Sequence, residues 1–247
     1  AVVSLLYLRR IPDARHGEMT AESSVKVPFV DMALLAPFRN WVLFSLLFVL
    51  VGGGLGVFPV EYLKDQARFS PYLIYMLSTG TFLAPMIILQ AVGKRVDRSG
   101  SIPLIRMSLL AFALVLGIWL MMSAGVITPS WWLVLLLNVS GGAAMASFNM
   151  ANGHLWMSVV PESGKNHYFA VSTVIVSLVA GVVPLLWGCL LDSLGGLDLV
   201  AGPFHLRRHS VYFLGITLLC LASLLASRIL IQPGKHGDRG ERLKAEG

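Results

Sequence analysis

Six stretches of this chain, Trp41–Val60, Pro71–Val92, Pro103–Ala124, Trp131–Gly153, Phe169–Leu191 and Val211–Ile231, each run for some twenty residues with almost no charge. That is the length a helix needs to cross the hydrocarbon core of a bilayer, roughly 20 residues. Inside lipid every backbone N–H and C=O must be bonded within the protein, which a helix does and an open strand does not. The pattern predicts an all-α integral membrane protein with six transmembrane helices. Composition agrees: 56% of residues are hydrophobic and the mean hydropathy is +0.75, more than a soluble domain needs to build one core.

A formal charge of +6 would suit a nucleic-acid partner only if basic residues were interleaved with aromatics on a solvated surface. Here they fall between the apolar runs, so no nucleic acid is expected and membrane lipid is the expected surrounding. With the segment before Trp41 on the cytoplasmic side, the alternating loops put Arg9, Arg10, Arg15, Lys26, Arg39, Lys94, Arg95, Arg98, Arg106, Lys165, Arg228, Lys235, Arg239, Arg242 and Lys244 inside. Only Lys64, Arg68, Arg207 and Arg208 fall outside, so fifteen of the nineteen basic residues obey the positive-inside rule. Multi-pass insertion in the cell membrane with both termini cytoplasmic follows. Aromatics near the span ends, Trp41, Tyr62, Tyr72, Trp131, Trp132, Trp156 and Tyr212, suit belts at the membrane interface. Cys189 and Cys220 lie inside apolar runs with neither disulfide nor metal spacing and read as two small core residues.

The chain opens with "AVVSLLYLRR", an apolar run placed before its arginines, the reverse of a secretory signal. Residues 1–8 read as the tail of a preceding transmembrane helix, 9–36 as a solvated cytoplasmic loop, 37–232 as the six-helix domain and 233–247 as a cytoplasmic tail.

"QAVGKRVDRSG", residues 90–100, concentrates charge between the second and third spans. It reads as a cytoplasmic turn: Gly93 permits close helix approach, Ser99, Gly100 and Ser101 let the chain reverse, and Pro103 fits the first turn of the next helix. Asp97 is expected near the amino end of that helix, where the dipole favours a carboxylate. The frame Gly93, Asp97, Gly100 recurs as Gly188, Asp192, Gly195 in "GCLLDSLG" at the end of the fifth span, with Pro184 before it as Pro85 precedes the first. By the topology above the two copies sit on opposite sides of the membrane, as two inverted three-helix repeats require.

"GKRVDRSGS" resembles the signature loop of the major facilitator superfamily, Gly-x-Leu-Ala-Asp-Arg-x-Gly-Arg-Arg, at Gly93, Asp97, Arg98 and Gly100. It departs at Arg95 and Val96, where the family usually has Leu and Ala, and at Ser101, where a basic residue is preferred. "VVPESGKNHYFAV" followed by "VVPLLWGCLLD" resembles the approach to, and body of, the fifth helix of that family's carboxy-terminal half. The resemblance covers nearly the whole chain. It implies that residues 1–8 finish the sixth helix of a twelve-helix transporter, that 9–36 are its central loop, that an amino-terminal six-helix half is missing, and that Asp97 and Arg98 latch cytoplasmic helix ends in one conformation.

Within the spans no Lys, Arg, Asp or Glu sits at mid-depth, so the usual mark of a proton relay is absent from these helices. The best polar constellation is "NVSGGAAMASFNMANGHLW", where Asn138, Gly142, Met145, Asn149, Asn152 and Trp156 share one helix face. Such a face either glues helices together or lines a cavity in which Asn138, Asn149 and Asn152 orient a solute. Ser172 and Thr173 in the fifth span are further pathway candidates, although hydroxyls often bond back to their own helix. In "VGGGLGVFP" the Gly52/Gly56 pair either packs helices or makes a hinge before Pro59. His205 and His209 flank Arg207 and Arg208 in what reads as a solvated outer loop. No phosphate-cradling loop, nucleophile elbow or metalloprotease motif appears, so no cofactor, metal or catalytic residue is expected.

The function expected is secondary transport of a small solute by alternating access. An integral-membrane enzyme would need reactive side chains converging at one depth, and a six-helix channel subunit would need a ring-forming or reentrant segment.

Overall fold

The longest apolar runs become the longest helices, because a segment surrounded by hydrocarbon has no other way to bond its backbone. The computed structural model describes residues 34–161, 164–201 and 204–230; the expected helix tail at 1–8, nearly all of the loop at 9–36 and the tail at 233–247 lie outside them. In chain order come α1 (Ala36–Gly52), α2 (Phe58–Asp65), α3 (Pro71–Ser99), α4 (Ser101–Ser123), α5 (Trp131–Val159), α6 (Lys165–Ser193), a hairpin of β1 (Asp198–Ala201) and β2 (Phe204–Arg207), and α7 (Arg208–Ala226), which runs into a 3₁₀ turn at Ser227–Ile229. Among the described residues five helices, α3 to α7, are long and apolar enough to cross a membrane. The protein is a helical, multi-pass membrane protein.

The first apolar run does not form one helix. Its helix stops after 17 residues at Gly52, and residues 53–57 turn before α2 begins. Glycine is the cause: a Cβ on Gly53 would collide with Val183 of α6, and one on Gly54 would lie 2.8 Å from the Tyr212 hydroxyl of α7. The carbonyl of Leu50, which an unbroken helix would occupy, instead accepts a bond of 3.0 Å from the Trp187 indole. Of the two readings of the Gly52/Gly56 pair, the packing one fails at Gly56, which has open space around it, while Gly53 and Gly54 make the close approaches.

The charged turn at 93–99 is also corrected. It is the last two turns of α3, and the chain reverses at Gly100 alone, at φ +83°. Lys and Arg are good helix formers, so the helix outlasts its apolar stretch. Asp97 consequently sits in the carboxy-terminal turn of α3 rather than at the amino end of α4. Gly93 does what its position suggests, since a Cβ there would lie 2.8 Å from Met150 Cε of α5. At the second frame, Gly188 has no neighbour so close, and Asp192 again occupies a helix's last turn.

Contacts between helix ends define the two ends of the bundle. At the Gly100 end, Asn40 donates to the Ile229 carbonyl at 3.2 Å, Arg106 to Ser227 at 3.2 Å, and Ser101 Oγ lies 2.8 Å from His154 Nδ1. At the other end Arg208 bonds Glu61 and Asp65 of α2. The end of α3 lies at the first and the end of α6 at the second, so the two copies of the frame are at opposite ends. α4 is the most enclosed helix and α6 the least. α3 lies along α5, α4 touches α5 and α7, and α1 bridges α6 and α7. Aromatic placement is mixed: Tyr72 and Trp132 are exposed, but Trp41, Tyr62 and Tyr212 are core residues. Cys220 is buried as expected, whereas Cys189 is exposed on α6.

Ser99 and Ser130 are exposed at opposite ends of this bundle. In a background with Cys189→Ser and Cys220→Ala, Ser99→Cys and Ser130→Cys should react with an impermeant maleimide from opposite faces of sealed vesicles, Ser99→Cys from the cytoplasmic face. Reaction of both from one face would contradict an arrangement in which α3, α4 and α5 cross in alternation.

Candidate functional site

The amide face of α5 looks onto two cavities. One, of about 380 Å³, lies toward the Arg208 end and is lined by Asn138, Ser78, Thr81, Phe112 and Trp119 among others. The second, of about 430 Å³, lies toward the Gly100 end and is lined by Asn149, Asn152, Trp156, Trp41, Ser45 and Thr173 among others. Both volumes fall in the range of small-molecule pockets. Gly52 and Met145 belong to both walls, and a Cβ on Gly52 would touch Met145 Cε at 3.9 Å. The end of α1 and the middle of α5 thus form a narrow partition, one side of which is a flexible thioether.

The three asparagines have different environments. Asn138 lies 3.5 Å from the Thr81 hydroxyl. Asn152 accepts 3.0 Å from the Trp41 indole, whose ring stacks on Trp156 at 4.9 Å and 6°. Asn149 is exposed to the cavity and makes no hydrogen bond among the described residues. Gly142, on the same face, meets the backbone of Thr81 so closely that a Cβ would overlap its carbonyl. The face therefore serves both alternatives: Gly142 and Asn152 join helices, and Asn149 is free on a cavity wall. Thr173 shares that cavity. Ser172 lines neither cavity; its hydroxyl bonds back to Tyr168 O at 2.7 Å.

Asp97 and Arg98 are exposed and form no ion pair among the described residues. Gly93 and Gly100 shape the end of α3, and Gly188, Asp192 and Gly195 lie at the far end of the bundle from both cavity-lining amides of the Trp156 chamber. His209 departs from the expected solvated loop. It opens α7, is fully buried, places Nδ1 3.0 Å from Gln66 Nε2, and has Nε2 3.8 Å from Glu61 Oε1. Arg208 beside it bonds Glu61 Oε1 at 2.8 Å and Asp65 Oδ2 at 3.1 Å. These bonds fasten α2 to α7, and the β hairpin in front of them replaces a free loop, with Asp198 opposite Arg207 in its register. Among the described residues no three His, Cys, Asp or Glu side chains are grouped to hold a metal.

Sequence reasoning missed Trp41, Ser45, Phe48 and Phe148 as cavity walls. The only local signal was their spacing on apolar helices, which core residues share. The chain matches no family model, no curated protein sequence and no solved structure, so its function is read from this arrangement of side chains.

Proposed function

We propose that the chain is the carboxy-terminal half of a secondary transporter, moving a small solute across the cell membrane by alternating access. The observation that carries the proposal is the pair of polar-spotted cavities stacked along the bundle, which share Gly52 and Met145 in their walls. Alternating access needs a pathway that opens to one side and then to the other around a site between them, with a barrier that moves. In this reading α1, its glycine turn and α2 together make a broken first span, which joins the five unbroken ones and is of the discontinuous kind that transporter sites use. The six spans then divide into two inverted three-helix units, α1 to α4 and α5 to α7, with the Gly100 end cytoplasmic. The resemblance of Gly93, Asp97, Arg98 and Gly100 to the major facilitator signature supports the same reading. It adds a second six-helix unit as partner and a latch at Asp97 and Arg98. A membrane enzyme or a channel subunit is the alternative function class, and the test separates the transporter from the channel.

Thr173→Cys lies in one chamber and Ser78→Cys in the other. In the full-length protein without native cysteines, an impermeant maleimide should reach Thr173→Cys from the cytoplasmic face only and Ser78→Cys from the outer face only. Locking one chamber open by alkylation should suppress reaction in the other. Reaction of both sites from both faces would mean a channel; no reaction at either would remove the pathway.

A further inference from the structure

We infer that the groove between α3 and α4 seats one anionic phospholipid from the leaflet at the Gly100 end of the bundle, its phosphate on Arg95 and an acyl chain on the floor that α5 provides. The inference goes beyond the transport reading and needs only that these helices lie in a membrane.

The groove comes from the way the helices lean. α3 is drawn onto α5 at Gly142, which admits the Thr81 backbone, and at Gly93, which admits Met150, while α4 packs on α5 and α7. Beyond the reversal at Gly100 the two helices part. Short side chains, Ala91 of α3, Ala111 of α4 and Ser140, Ala144 and Ser147 of α5, leave the wedge between them unfilled, a cavity of about 470 Å³. The floor from Ser140 to Ser147 is about 10 Å long at the rise of an α-helix, a furrow suited to an extended chain. Its hydroxyls are already spent: Ser140 donates to the Leu136 carbonyl at 2.7 Å and Ser147 to the Ala143 carbonyl at 2.8 Å. What the floor offers a guest is close van der Waals contact, the term that drives association inside lipid.

The open side of the groove faces away from the two cavities of the solute pathway. Ser140, Ala144 and Ser147 each stand two positions from a residue of the amide face, Asn138, Gly142 and Asn149, and two positions turn an α-helix by about 200°. A second unit that completes the pathway from the amide side therefore leaves this groove to lipid. Leu136, one turn before Ser140, is 62% exposed and Met107 in the groove wall is 47% exposed, apolar side chains suited to hydrocarbon.

Charge selects the headgroup. Arg95 lines the groove within the last turns of α3, is exposed and makes no ion pair among the described residues. Arg98, three positions on, shares its side of the helix, whereas Asp97, two positions on, points the other way. A phosphate there meets two guanidinium groups with no carboxylate between them, at the end of a span where headgroups lie.

Native mass spectrometry of the full-length protein, titrated in detergent with palmitoyl-oleoyl-phosphatidylglycerol or with zwitterionic palmitoyl-oleoyl-phosphatidylcholine, counts the lipids bound. The first phosphatidylglycerol should bind at least about tenfold more tightly than the first phosphatidylcholine, since each basic group near an anionic headgroup is worth roughly fivefold. Arg95→Gln should lower that preference about fivefold, while Lys94→Gln, on another side of the same turn, should leave it within about twofold. Ala111→Phe, which fills the furrow and leaves both arginines in place, should weaken the first adduct of either lipid about fivefold or more; if that variant does not accumulate, Ala91→Leu fills the furrow from the opposite wall. Equal affinity for the two lipids, a preference kept in Arg95→Gln, a preference lost as fully in Lys94→Gln, or undiminished binding to the filled groove each overturns the inference. So does the absence of a saturable adduct, which would mean that another part of the full-length protein covers this face.

Discussion

Gly142→Ala should cost the folded bundle on the order of 3 kcal/mol, while Gly141→Ala, one residue away on the same helix, should be neutral or slightly stabilising. The difference lies in what each new methyl meets. At Gly142 the Cβ would overlap the carbonyl oxygen of Thr81 and come within 2.9 Å of its Cα. These are backbone atoms of α3, so only a shift of the whole helix relieves them. At Gly141 the nearest atom is Val115 Cγ1 at 3.6 Å, an ordinary contact, and alanine's better helix preference is all that remains. Gly80 marks the same interface from the α3 side, with Leu135 Cδ1 at 3.0 Å from its Cβ position. Small residues at such crossings are what let membrane helices touch, since between apolar helices in lipid the gain comes from close packing rather than from escaping water. Thermal unfolding in detergent should therefore separate the two variants clearly. Similar stabilities would mean that α3 and α5 do not meet as described. Because Thr81 and Asn138 face the same chamber, the displaced helix in Gly142→Ala should also speed the reaction of maleimide with Ser78→Cys.

Much of this architecture is legible in the sequence, because lipid leaves the backbone one solution and the apolar runs announce where it is used. Runs 71–92, 103–124, 131–153, 169–191 and, over its residues 211–229, the last one all became helices. The Gly100 reversal and the close approach at Gly93 follow from the residue type alone, since only glycine supplies both a positive φ and no Cβ. What failed has a common physical root. Sequence marks where hydrocarbon ends, and helices do not stop there: α3 continues through Lys94, Arg95 and Arg98 because charged residues propagate a solvated helix as readily as apolar ones do. The broken first run depends on Val183 and Tyr212, residues more than a hundred positions away, so its glycines show that a break is tolerated but not which of them packs. Trp41 and Tyr212 look like interface anchors by position and are core residues by contact. The same blindness covers the cavity: Ser172 bonds back to Tyr168 of its own helix while Ser45 has no partner among the described residues, and nothing in either residue's own segment reports which will do so.

Removing Trp41 should be the most damaging single change at the cavity, and its consequences distinguish the amide that holds helices together from the amide that is free. Trp41 is 4% exposed, stacks on Trp156 and donates to Asn152 Oδ1 at 3.0 Å. Trp41→Ala deletes the ring and leaves an acceptor without its donor, so a loss of about 3–5 kcal/mol is expected. Trp41→Phe keeps a ring in the stack and removes the donor, which should cost about 1 kcal/mol, near the value of an interhelical hydrogen bond in membrane proteins. Asn152→Leu should cost a similar amount alone and little more in combination with Trp41→Phe, since both changes remove the same bond; a double-mutant cycle reads that coupling directly. Asn149 has no hydrogen-bond partner to lose among the described residues, so Asn149→Ala should change stability by less than about 0.5 kcal/mol. If Asn149→Ala destabilises the bundle as much as Asn152→Ala, then α5 presents a uniform adhesive face and Asn149 is not free to meet a solute. If only Asn152 matters for stability, the two amides, one turn apart on the same helix, divide the work: Asn152 fixes α5 against α1, and Asn149 stays available on the wall that this fixing creates.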